Sequence, residues 1–192
     1  MKFRPSLLAA AALAVGAMTV ASAAVETYQI DPVHSSVGFS IRHFFSPVPG
    51  AFTKFAGTIV VDRENPENNR VDATIEVPSI DTRNAKRDDD LKSKNFFAAD
   101  QFPAITFKSS SWKKTGADTF DVAGDLTIKG TTKPVVLKVK SLGFGPGMQG
   151  KTISGWEATA TINRNDFGIT TYPKMLGDDV AVSISIEADM KG

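Results

Sequence analysis

Cysteine is missing from this 192-residue chain, and histidine occurs only twice. Without cysteine there are no disulfides, no thiol redox chemistry, no cysteine-ligated metals and no thioether-linked lipid anchor. The core must hold the fold without covalent staples. His34 and His43 fall on opposite faces by strand parity, and no histidine cluster is left to complete a zinc site. A surplus of one charge is missing too, since 22 Lys and Arg face 21 Asp and Glu. That balance gives no electrostatic basis for nucleic acid or an anionic membrane surface as a partner. No G-x-S-x-G nucleophile elbow occurs, and the scattered Gly124, Gly130, Gly143, Gly145 and Gly147 match no phosphate-cradling loop. A serine–histidine–acid set assembled in space rather than in sequence stays open.

Long apolar runs are confined to the N-terminus. Lys2 and Arg4 precede an almost wholly apolar stretch from Leu7 to Val20, and Ala21-Ser22-Ala23 follows as a small-residue cleavage site. This predicts a cleaved secretory signal peptide over 1–23 and a single domain over 24–192. An uncleaved anchor is the competing reading, but the run is short of the roughly 20 residues a span needs. Export to the periplasm is the expectation, with no stable membrane insertion once the signal is gone.

After the signal, period-two alternation dominates. Phe39, Ile41 and His43 share a face with Val37, and Arg42 falls on the other. Ser46 to Gly50, with two prolines, reads as a turn. Phe52 opens the next segment, in which Phe55, Gly57, Ile59 and Val61 are in phase. Val71 to Val77, Ala104 to Trp112 and Thr119 to Lys129 continue the pattern, with Phe107, Phe120 and Leu126 inward. Val135 to Val139, Ile153 to Ile162 with Trp156, and Val180 to Ala188 complete it. About eight strands, one short helix and no βαβ spacing predict an all-β barrel or sandwich. An outer-membrane barrel is disfavoured by the polar helix in the middle of the chain.

That middle stretch, Asp81 to Phe107, is the one segment that does not alternate. Asp81 or Thr82 is placed to cap a helix, and Lys86 and Asp90 stand at i, i+4 spacing. Arg87-Asp88-Asp89-Asp90 reads as a solvated helix face, because consecutive helical carboxylates diverge and cannot converge on one cation. Phe96 and Phe97 are expected to point inward, making the segment a lid over the β-structure. Arg164 and Asp166 are expected to pair across a turn before Phe167. Glycine and alanine at in-phase positions (Gly57, Ala73, Gly124, Ala158, Ala160) are consistent with a hollow. An eight-stranded barrel is just wide enough either to be filled or to hold one small ligand, so the pattern alone leaves both open.

Taken together, several stretches resemble the YceI-like family. They are Asp31-Pro-Val-His-Ser-Ser-Val-Gly-Phe39 with His43, Gly50-Ala-Phe52, and Phe55-Ala-Gly57. Arg87-Asp88, Leu91, Phe96-Phe97 and Phe102-Pro-Ala-Ile-Thr-Phe107 follow, then Gly124 to Gly130, Thr132-Lys-Pro134 and Arg164-Asn-Asp-Phe-Gly168. The likeness runs from about Tyr28 to the C-terminus. It implies a lipocalin-like, eight-stranded antiparallel β-barrel enclosing an apolar cavity. It implies binding of a polyisoprenoid, either a polyprenyl phosphate or an isoprenoid quinone, or of a similar long-chain amphiphile. No metal, cofactor or catalytic residue is implied.

The candidate ligand contacts are the inward residues already named: Phe39, Ile41, His43, Phe52 and Phe55. The lid and later strands add Phe96, Phe97, Phe107, Phe120, Leu126 and Trp156, and the turn adds Arg164 and Phe167. Burying a methylene is worth about 0.8 kcal/mol, so a few isoprene units offset an association cost of roughly 4–15 kcal/mol. One methylene discriminates by only about 1–3 kcal/mol, so specificity would rest on a headgroup contact. His43, Arg164 and, least of all, Arg42 are candidates. The reading is a carrier, not an enzyme. A secreted enzyme on a lipophilic substrate and a stress-responsive interaction protein with a filled barrel are the alternatives, and a homodimer is left open.

Overall fold

The computed structural model describes residues 25–191; the expected signal and its cleavage site after Ala23 lie outside the described residues. The described residues form eleven strands of one antiparallel sheet and a single α-helix. The strands are β1 (Glu26–Ile30), β2 (Ser36–His43), β3 (Ser46–Phe52), β4 (Phe55–Val61), β5 (Arg70–Glu76) and β6 (Ile80–Asp81). Helix α1 (Ala85–Lys92) follows, then β7 (Ala104–Lys114), β8 (Thr119–Ile128), β9 (Thr131–Pro146), β10 (Thr152–Asn163) and β11 (Leu176–Met190). The ring β1-β4-β5-β7-β8-β9-β10-β11 closes through a β1–β11 pairing, which makes an eight-stranded antiparallel barrel. Closure removes the free edges that an open sheet would expose, except along part of β3.

Two of the eight staves are bent in the middle. β1 and β2 both pair with β11, through Ile30↔Ala188 and Ser36↔Ser185, so they follow one path interrupted at residues 31–35. β3 lies on β2 and β4 on β1, so these two are likewise one path. At the β2–β3 end the ring does not zip shut, because β3 meets only the two residues of β6. The chain leaving β5 crosses that gap. It touches β3 as β6, runs through α1 and residues 93–103, and re-enters the barrel as β7.

The strand β3 replaces the turn expected at Ser46 to Gly50. Pro47 and Pro49 pair with Arg42 and Ser40. They are tolerated because β3 is an edge over that stretch, where a missing N–H leaves no ladder bond unmade. β1 also escaped the alternation reading, being only five residues long. The β8–β9 hairpin turns on Lys129 and Gly130 at φ +49° and +73°, the paired positive values of a tight two-residue loop. A side chain at Gly130 would meet the Phe102 ring at 2.5 Å, so this turn also seats the last aromatic of the lid.

One half of the barrel is filled. Trp112 and Trp156 meet edge to face at 5.7 Å, and Phe120 and Phe144 pack against them at 5.7 and 5.6 Å. Such pairs add about 0.5–1.5 kcal/mol each beyond their area burial. Each indole N–H finds a serine: Trp156 donates to Ser154 at 3.0 Å and Trp112 to Ser109 at 3.4 Å. The fully buried Tyr28 donates to Glu26 at 2.8 Å. Arg63 holds the same carboxylate at 2.7 Å, with its guanidinium 4.2 Å over the Phe144 ring.

Helix α1 is capped by Asn84, whose side chain accepts from the Arg87 N–H at 3.0 Å; Asp81 and Thr82 do not take that role. Its ion pair is Lys92 with Asp89 at 3.7 Å, in place of the expected Lys86–Asp90. Of the three aspartates, Asp88 is buried rather than solvated. It accepts both the backbone N–H and the hydroxyl of Thr82. Arg87 donates to the Thr82 hydroxyl and carbonyl, each at 2.7 Å. These bonds fasten a mostly polar helix to Thr82, the residue that follows β6.

Candidate ligand-binding cavity

The other half of the barrel is hollow. A cavity of about 370 Å³ lies beneath α1 and the segment that follows it. This is within the roughly 300–1,000 Å³ range of ligand pockets, toward its small end. Phe107 and Leu126 form its floor, since both line the cavity and also pack onto the filled half. β2 contributes Phe39, Ile41 and His43 to the wall, and β3 contributes Phe52. β9, β10 and β11 supply Val135, Leu137, Ala160, Ile162, Val182 and Ile184. Leu91, Phe96 and Phe97 close it from the lid, and Phe167, Ile169 and Tyr172 from the opposite loop.

Lid and loop are joined. The Thr171 hydroxyl donates to the Asn95 carbonyl, and Phe96 and Tyr172 rings lie 6.1 Å apart. On the other flank Lys129 donates to the Lys94 carbonyl at 3.2 Å. Tyr172 and Met175 are exposed as well as lining the cavity, so the mouth opens on this side.

Among the described residues Arg164 is the one buried cation on the wall, at 4 % exposure. Its Nε–H donates to the Gly177 carbonyl at 2.8 Å, and Nη1 donates to Ile169 and Thr171 carbonyls at 2.7 and 2.8 Å. Nη2 reaches the Leu176 carbonyl at 3.5 Å and the Asp178 carboxylate at 3.4 Å. A guanidinium has five N–H donors, and all five are met by the loop it holds. It therefore clamps residues 168–178 and has no donor left for a headgroup. The expected Arg164–Asp166 pair is replaced by this arrangement, with Asp178 as the acidic partner.

His43 is half-buried at the end of β2 and meets the Phe44 ring at 4.8 Å. Among the described residues no hydroxyl or carboxylate hydrogen-bonds to it. Arg42 is exposed, points away from the cavity and donates to the Phe44 carbonyl. Thr82, Arg87 and Asp90 reach the wall from the lid. His34 lies outside the barrel, where its ring pairs with Asp31 at 2.7 Å and Glu187 at 3.8 Å. The Asp31 bond raises the imidazole pKa and lowers that of the carboxyl. Ligand atoms of these three residues lie within 4.8 Å of one another, a grouping that the ion pairs account for.

Ten of the thirteen expected contacts come together on this wall. Phe55, Phe120 and Trp156 do not. Phe120 and Trp156 belong to the filled half, and Phe55 is wedged between the two core clusters. Parity identifies the inward face of a strand but not the height along the barrel axis. Gly57 and Gly124 do not open the hollow either: a side chain at Gly57 would strike Ile30 at 2.8 Å, and one at Gly124 would strike Phe107 at 2.6 Å. The aliphatic contacts on β11 were visible as clean alternation, whereas Tyr172, Met175 and Ile169 sit in irregular backbone with no period to reveal them.

Residues 28–188 match the sequence profile of the YceI-like domain. Protein YceI of Salmonella arizonae is 40% identical over 172 residues, covering 88% of this chain and 90% of that one. The Campylobacter jejuni YceI protein superimposes with a TM-score of 0.72 at 32% identity, covering 77% of this chain and 88% of that one. A polyisoprenoid binding domain from Saccharophagus degradans, implicated in plant cell wall breakdown, shares the fold. Its TM-score is 0.66 at 12% identity, and the likeness covers 85% of this chain and 98% of that one. By profile, by sequence identity and by the closed eight-stranded barrel, the chain belongs to the YceI-like family.

Proposed function

We propose that this protein is a periplasmic, non-enzymatic carrier that holds a polyisoprenoid, either a polyprenyl phosphate or an isoprenoid quinone, in its barrel. The observation that carries the reading is the roughly 370 Å³ cavity, walled on nearly every side by aliphatic and aromatic side chains. Apolar cavities stay dry and receive apolar ligands, and each methylene moved in from water contributes about 0.8 kcal/mol. A cavity of this size encloses one end of a long chain, with the remainder leaving through the mouth beside Tyr172. The Saccharophagus domain of the same fold, described as polyisoprenoid binding, supports an isoprenoid ligand. The N-terminal stretch of Met1 to Ala23 supports export.

The polar groups that a headgroup would meet are at the mouth and lid: His43, Thr82, Arg87, Asp90 and Tyr172. Arg164 is engaged elsewhere. The hollow speaks against a filled barrel. Calorimetric titration with decaprenyl phosphate, decaprenol and ubiquinone tests the proposal. Saturable uptake of at least one, lost in Ala160→Trp while its thermal melt is retained, is the expected outcome. A chain that takes up none of the three contradicts the carrier reading.

A further inference from the structure

Phe44 and Phe45 make up the two-residue loop of the β2–β3 hairpin, because His43 pairs with Ser46. Phe45 is 98 % exposed and Phe44 is 45 % exposed. Phe44 also takes a φ of +49°, a conformation costly for a bulky residue and one that short hairpins ordinarily give to glycine. Folding gains little from either ring here. Glycine or asparagine would make the better turn, and no core receives Phe45.

The tip stands on the rim of the cavity. The Phe44 N–H donates to the Met175 carbonyl at 2.7 Å, and the ring packs on His43, itself on the cavity wall. Tyr172 and Met175 are 46 % and 36 % exposed and line the cavity as well. Interior and exterior apolar surface are therefore continuous at this point. Two exposed cations flank it: Arg42, which donates to the Phe44 carbonyl, and Lys174, next to Met175. Asp178 and Asp179 lie one register step back, in the β11 bulge opposite Arg42, and Asp178 is paired with Arg164.

We infer that this tip docks on a lipid bilayer. Phe44, Phe45, Tyr172 and Met175 enter the boundary between headgroups and acyl chains, where aromatic side chains are favoured. Arg42 and Lys174 meet lipid phosphates. The cavity mouth then faces the bilayer, and a long-chain lipid passes between the two without crossing water. A second protein copy is the poorer fit, since a standard interface covers about 800 Å² per partner and this is a projecting wedge of four side chains. The near balance of charge over the chain gives no long-range attraction, so docking rests on the rings and depends weakly on salt. What passes through the mouth rests on the carrier reading; the docking itself does not.

The purified full chain is floated with vesicles of phosphatidylethanolamine and phosphatidylglycerol, three parts to one. Uptake of decaprenol from detergent is measured separately, without vesicles. The expected result is vesicle binding that falls about tenfold in Phe45→Ser and further in Phe44→Asn with Phe45→Ser, while decaprenol uptake is unchanged. Phe45→Trp is expected to shift its emission to the blue on vesicle addition and to be quenched by brominated lipid. Wild-type chain that takes up decaprenol yet never floats overturns the inference, as does flotation that Phe45→Ser leaves intact. Tip-dependent self-association in sedimentation, without flotation, overturns it in favour of a second copy. Tip-dependent flotation without decaprenol uptake upholds docking and refutes the carrier reading instead.

Discussion

The Phe107 ring occupies the space that a side chain at Gly124 would need: a β-carbon there would stand 2.6 Å from its Cζ and 2.5 Å from the Lys108 carbonyl oxygen. Phe107 is also the floor of the cavity. The absent side chain on β8 thus lets a ring from β7 lie down between the filled and hollow halves.

Gly124→Ala should therefore cost about 1–3 kcal/mol, the usual range for overpacking, and should lift Phe107 into the cavity. Urea melts would show the lost stability, and titration with decaprenol would show weaker uptake. Combining it with Phe107→Leu should recover part of both, since the two residues share one space. An additive double variant would remove this account of the floor.

Arg164→Lys keeps the charge and loses the five-donor fork. With the acceptors at Gly177, Ile169 and Thr171 no longer all met, the cost should be about 3 kcal/mol or more. Because every N–H is engaged inside the protein, the preference for decaprenyl phosphate over decaprenol should not change. Paired titrations decide the matter, and a changed preference would return Arg164 to the headgroup.

The Asp31–His34 pair gives a pH window. The bond to Asp31 raises the His34 pKa above its ordinary 6.5, so its contribution is full below that value and is lost as pH climbs through the raised one. The bond to His34, helped by the Val33 N–H, lowers Asp31 below its ordinary 3.8. That contribution is present above 3.8 and fades as pH falls through the lowered value. The pair should act fully between the two ordinary values. Proton NMR should find His34 titrating closer to 6.5 in Asp31→Asn, and an unmoved titration would exclude the pair as the cause.

Asn84→Ala removes the cap of α1 and should cost about 1 kcal/mol. Asp88→Ala should cost more, because it strips a buried Thr82 N–H and hydroxyl of their acceptor. Hydrogen exchange should quicken over residues 82–99 in both variants while the barrel strands keep their protection. Uniform loss of protection would mean that the lid and barrel unfold as one unit.

The barrel was legible because inward and outward residues alternate on nearly every long strand, from Phe39 and Ile41 to Val182 and Ile184. The lid was legible from Phe96 and Phe97 breaking that alternation. Three things were not. Pro47 and Pro49 masked an edge strand, since proline marks a turn unless the free edge is known. Asp88 looked solvated because nothing local shows Thr82 folding back over it. Trp156 and Phe120 looked like cavity wall because their height in the barrel depends on the register of neighbouring strands. Arg164 shows the same limit, as its partner Asp178 comes from the bulge in β11 rather than from the nearby Asp166.

Native mass spectrometry of the protein purified from its native host, followed by organic extraction, tests the carrier reading most directly. A discrete added mass that extraction identifies as a polyprenyl or isoprenoid-quinone species is the predicted result. A bare chain mass that stays unshifted after incubation with polyprenyl phosphates and quinones would contradict it, and would leave the hollow half of this barrel without its proposed occupant.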